Sequence, residues 1–106
     1  MLLSIKDRLN IGGLLPLKGD LGAMKLMRAV AQKTAITSEE QKEINLRVED
    51  GRYCWDAGKN QDKEVEFTHT EEGFLKDCVA RLDKAGEVTP DILDTCLRLT
   101  GEKEGD

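Results

Sequence analysis

Leu46-Arg47-Val48-Glu49-Asp50-Gly51-Arg52-Tyr53-Cys54-Trp55 decides the fold class. Leu46 and Val48 alternate with Asn45, Arg47 and Glu49, the period of a strand with one apolar face. Asp50-Gly51 then supplies a two-residue turn, because a type I′ turn needs positive φ at both positions. Counting outward from it pairs Glu49 with Arg52, Val48 with Tyr53, Arg47 with Cys54 and Leu46 with Trp55. Val48/Tyr53 and Leu46/Trp55 share one face, and an opposite-charge pair opens the other.

Downstream, Ala57 to Asp62 reads as a loop and Lys63 to Phe67 as a third strand, with Val65 and Phe67 inward. Thr68 or Thr70 caps a helix running to about Ala85. Phe74, Leu75, Cys78, Val79 and Leu82 form its apolar stripe, and Gly86 suits the left-handed position past its end. Thr89-Pro90-Asp91 opens a last helix, with Thr89 as N-cap and Pro90 at the first helical position. Ile92, Leu93, Cys96, Leu97 and Thr100 are expected on its buried side, and Gly101 ends it.

Upstream, Ser4 with Asp7 three residues on starts a short helix that Gly12-Gly13 is expected to stop. Leu14-Leu15-Pro16-Leu17 follows as an apolar connector. Asp20 is the N-cap of a helix from Leu21 to about Lys33. Its expected buried stripe is Leu21, Met24, Met27 and Ala31, widened by Leu26 and Val30. Thr37-Ser38-Glu39-Glu40 is a capping box that opens a short polar helix to about Ile44. The expected architecture is α+β: a small three-stranded antiparallel meander covered by N-terminal and C-terminal helices. Residues 1–101 form one domain, and 102–106 a charged, flexible tail. The helices are expected to dry the face of Leu46, Val48, Tyr53, Trp55, Val65 and Phe67.

The 106 residues are 39% hydrophobic, 35% charged and 4% aromatic, enough for one small core. No apolar run approaches the roughly 20 residues that span a bilayer. Met1-Leu2-Leu3 is too short for the apolar region of a signal peptide, so a cytoplasmic location without membrane contact is expected. Three cysteines, Cys54, Cys78 and Cys96, read as free thiols in a reducing compartment.

The chain carries net charge −5, unevenly distributed. Residues 1–36 hold Lys6, Arg8, Lys18, Lys25, Arg28 and Lys33 against Asp7 and Asp20, a net of +4 that leaves −9 for the rest. Such asymmetry marks either an anionic partner or a solvated helix face.

Catalytic and metal signatures are absent from the sequence. His69 and the three cysteines lack the short ligand pairs of a zinc site. His69 is the only histidine to serve as a base, and it lies between two cap-type threonines. Glu39/Glu40, Glu71/Glu72 and Asp91/Asp94 fall in first helical turns, where carboxylates complement the helix dipole. Gly12-Gly13 to Gly19-Asp20 does not match a phosphate loop. No enzyme activity and no cofactor are therefore expected. Candidate partner-binding residues are Leu14, Leu15 and Leu17 in the connector and Lys25, Arg28 and Lys33 on the basic face. The three leucines either fold back on the core or stay exposed as a patch. The basic face could serve nucleic acid, although the four aromatics lie elsewhere in the chain.

The layout as a whole resembles a group of short hypothetical proteins encoded by tailed phages and prophages. The features that carry the likeness are Ile5-Lys6-Asp7-Arg8-Leu9, Leu14-Leu15-Pro16 with Gly19-Asp20, and Glu39-Glu40-Gln41. Trp55 in the hairpin, Val65-Glu66-Phe67-Thr68 and Thr89-Pro90-Asp91 complete them. The resemblance spans nearly the full chain and implies a small accessory protein in the cytoplasm of a bacterial host. It carries over no functional residue. The resulting expectation is a phage accessory protein acting through protein–protein contacts, as a homodimer or with another protein. The alternative is a nucleic-acid-binding regulator.

Overall fold

The computed structural model describes residues 1–56 and 62–101. Residues 57–61 of the loop expected at 57–62, and the tail expected at 102–106, lie outside the described residues. Among the described residues nine elements follow in order: β1 (Leu2–Leu3), α1 (Ile5–Leu14), α2 (Leu21–Thr34), α3 (Ser38–Glu43), β2 (Arg47–Glu49), β3 (Arg52–Cys54), β4 (Lys63–Glu64), α4 (His69–Ala85) and α5 (Pro90–Thr100). The fold is α+β.

The helix starts are set by local chemistry. Ser4 and Asp7, Thr37 and Glu40, and Thr68 and Glu71 each form a reciprocal capping box. Asp20 accepts the Ala23 amide at 2.7 Å. Thr89 stands at the N-cap of α5 in extended conformation, but its hydroxyl makes no cap bond there. Pro90 at the first turn already removes one of the amides that would need a partner. Gly86 and Gly101 adopt the left-handed conformation after α4 and α5. Asn45 does the same after α3, where the Leu46 amide reaches back to the Gln41 carbonyl at 2.9 Å.

Helix α1 does not stop at Gly12-Gly13 but continues to Leu14. Each glycine costs only about 1 kcal/mol relative to alanine in a helix, and Leu14 packs on the core. The real stop is Pro16, which forces the residue before it, Leu15, into extended conformation at ψ 138°.

The hairpin has the expected register, Arg47 with Cys54, Val48 with Tyr53 and Glu49 with Arg52, and Asp50 and Gly51 both have positive φ. The third strand does not join it. β4 pairs instead with β1, Leu2 opposite Glu64 and Leu3 opposite Lys63, so the sheet is two separate two-stranded ribbons rather than a meander. The Val65 amide extends this ribbon to the Met1 carbonyl at 2.8 Å. Burial explains the choice: Leu3 and Val65 enter the core together from the β1–β4 ribbon. The core is completed by Ile11, Val30, Phe74, Leu75, Cys78, Val79, Cys96 and Leu99.

Gly51→Val is expected to disorder the hairpin locally, because a β-branched residue at φ 76° is strained. Cross-strand NOEs between Val48 and Tyr53 should vanish while the Tm moves little. Retention of those NOEs would contradict the turn geometry.

Candidate protein-docking surface

Three cap carboxylates also fasten the helices to one another. Asp7, buried at the start of α1, accepts the Thr95 hydroxyl at 2.7 Å and the Arg98 guanidinium, both from α5. Glu71, buried at the start of α4, accepts the Lys33 ammonium from α2. Glu40, in α3, accepts two bonds from Arg8 of α1, at 2.6 and 2.9 Å. Arg8 is fully buried and also donates to the Thr34 and Ala35 carbonyls, at 3.1 and 2.6 Å. Its charge thus closes the C-terminal end of α2, where cations complement the helix dipole. The Arg8 guanidinium holds the Glu40 carboxyl down at about 2, and the Lys33 ammonium lowers Glu71. Burial pushes the Cys78 and Cys96 thiols up, which keeps them protonated and unreactive.

These ties fix the rotation of α2. Val30 and Thr34 are buried, and Ala23, Leu26 and Met27 pack against the core. Of the stripe expected inside, Met27, Leu26 and Val30 face the core, whereas Leu21 is 82% exposed and Met24 and Ala31 are only half-buried. α2 has two apolar sides, and only one is covered. Helix α5 differs in part: Ile92 and Cys96 face the core as expected, Thr95 (bonded to Asp7) and Leu99 are buried beside them, while Leu93 is 37% exposed and Leu97 half-buried.

The hairpin face is uncovered as well. Val48 is 63% and Tyr53 58% exposed, contrary to the expectation that helices dry this face. Only Leu46 and Trp55, at its base, are half-buried, where the Asp56 amide bonds the Ile44 carbonyl at 2.8 Å. The missing cover follows from the pairing of β4 with β1, which removes the strand that would have carried the hairpin onto the core.

The two uncovered faces adjoin. An open groove of about 770 Å3 runs from Gly12 and Gly13 past Ala31 and Ala35 to Leu46, Val48 and Tyr53. A second groove, of about 580 Å3, lies along Leu21, Met24 and Arg28 and shares Ala31 and Ala35 with the first. The glycines leave open space where side chains would stand. Polar side chains interrupt this surface, Gln41 and Arg47 in the first groove and Lys25, Arg28 and Gln32 in the second.

The candidate residues read from the sequence divide accordingly. Leu14 and Leu15 fold back and pack on the core. Leu17 is 98% exposed but lines neither groove. Lys33 is engaged by Glu71 and the Glu66 carbonyl and lies 6.0 Å from the Phe67 ring centroid. Lys6 pairs with Asp91, and Arg8 with Glu40. Lys25 and Arg28 are exposed, line the α2 groove and have no ion pair among the described residues. Leu21, Val48 and Tyr53 are exposed and Met24 is half-buried, although pattern assigns all four to the core. Arg28, four positions after Met24, was the available sign that this side of α2 is not buried.

His69 is exposed at the first position of α4. No group of three or more potential metal ligands occurs among the described residues, and none of their helices is long and apolar enough to cross a membrane. No family model, curated protein or solved structure matches the chain.

Proposed function

We propose that the protein is a non-enzymatic accessory protein of a phage or prophage that acts through protein–protein contacts in the cytoplasm of its bacterial host, without a cofactor. Its docking surface is the outward side of α2 together with the hairpin face. One observation carries this reading: two apolar faces of the kind that folding normally covers stay open and merge through Ala31 and Ala35. An isolated two-stranded hairpin is marginal in water, so a partner seated against Val48 and Tyr53 would also rigidify it. Lys25 and Arg28 favour nucleic acid as the second reading. Phosphate contacts would make that binding fall steeply with salt.

The test is affinity capture from nuclease-treated host lysate at moderate salt, comparing the native chain with Val48→Ser/Tyr53→Ser. The expected result is a stoichiometric protein held by the native chain and lost by the variant, with the Tm of the variant nearly unchanged. Equal retention by both, or bait recovered alone as a monomer, would overturn the reading.

A further inference from the structure

The outward side of α2 has the spacing of a helix-packing seam. Leu21, Met24, Arg28 and Ala31 follow one another at intervals of three, four and three residues, the a and d pattern of a heptad. The spacing returns at Ala35, just past the helix end. Small residues at positions 31 and 35 allow close approach by another helix, and Lys25 flanks the seam.

Arg28 stands at the midpoint of this seam and has no ion pair or side-chain hydrogen bond among the described residues. Anything that covers the seam takes its guanidinium out of water, which is costly unless a carboxylate is supplied. A second copy of α2 cannot supply one. Antiparallel pairing centred on the seam, and parallel pairing in register, both set Arg28 against Arg28. Like charges so placed disfavour the closed dimer.

Resting on the docking reading above, we propose that the seam of Leu21, Met24, Arg28 and Ala31 binds an acidic amphipathic helix of a partner protein. The partner's apolar positions lie in the α2 groove, and its Glu or Asp side chains pair with Arg28 and Lys25. This is helix-in-groove recognition, with charge setting which helices are accepted.

The probe is a three-heptad peptide with Leu at a and d and Glu at e and g. Its control carries Lys in place of every Glu. Binding is read by amide chemical shifts of the full chain and by fluorescence anisotropy. The acidic peptide should shift the amides of residues 21–35, and Arg28→Glu should weaken it by at least about tenfold, a difference near 1.4 kcal/mol. Met24→Ser should weaken it too, and the basic peptide should not bind. Equal binding of the basic peptide would overturn the charge assignment and leave the docking surface standing. Concentration-dependent shifts of residues 21–35 in the protein alone, without peptide binding, would make a second copy the occupant. Binding of neither peptide would overturn this proposal alone. If a single-stranded oligonucleotide then shifted the Lys25 and Arg28 amides, the docking reading would fail with it. Thermal melts of Arg28→Glu and Met24→Ser, both at exposed or half-exposed positions, should confirm folded chains.

Discussion

Arg8→Ala is expected to lose about 3–5 kcal/mol of stability, the range for removing one partner of a buried ion pair. Four bonds disappear at once: two to Glu40 and one each to the Thr34 and Ala35 carbonyls. The loss should fall toward the lower end, because the Glu40 side chain retains some contact with water. Arg8→Lys should not rescue it, since a single ammonium cannot span four acceptors held in a fork. Chemical denaturation measures the loss, and a change below about 1 kcal/mol, typical of a surface pair, would contradict the burial.

The same node makes stability sensitive to acid. The Glu40 carboxyl is lowered from 4.5 to about 2 in the folded chain. A depressed folded-state value means that the stabilisation is complete above the unfolded value and is lost as pH falls from 4.5 toward 2. In Arg8→Ala the Glu40 contribution to this acid loss should shrink, with the carboxyl titrating closer to its ordinary value by NMR while the Thr37 capping bonds still favour its charged form.

Leu99→Ala is expected to cost about 2–5 kcal/mol, as for other buried leucines. Leu93→Ala, at a position 37% exposed, should cost distinctly less, because part of that side chain already meets water in the folded chain. The pair discriminates the observed rotation of α5 from the one its hydrophobic pattern implies. Equal losses at both positions, measured by denaturation, would return α5 to the Leu93/Leu97 orientation.

What was legible in the chain is local. The cap residues Ser4, Thr37 and Thr68, the Asp50-Gly51 turn and the left-handed Gly86 and Gly101 involve bonds across a few residues, so their chemistry is written in adjacent letters. The second role of the cap carboxylates was not legible. Arg8 and Glu40 are 32 residues apart, Lys33 and Glu71 38, and Asp7 and Arg98 91. These distant pairs decide which side of α2 and of α5 faces the core. Apolar patterning on a helix with two apolar sides cannot decide that. The pairing of β4 with β1 was hidden for a related reason: Leu2-Leu3 is too short to show a strand period, and its partner lies about sixty positions away. The exposure of Leu21, Val48 and Tyr53 follows from both effects, since each leaves open a side chain that local pattern assigns to the interior.

Hydroxyl-radical footprinting of Met24 and Tyr53, on the purified protein and inside the cell that makes it, tests the central claim most directly. Phe74, buried in the core, is the internal reference. In the purified protein Met24 and Tyr53 should oxidise far more readily than Phe74, and inside the cell both should become protected together. Equal reactivity in the two settings, or protection matching that of Phe74 already in the purified protein, would contradict a surface left open by the fold for a partner to cover.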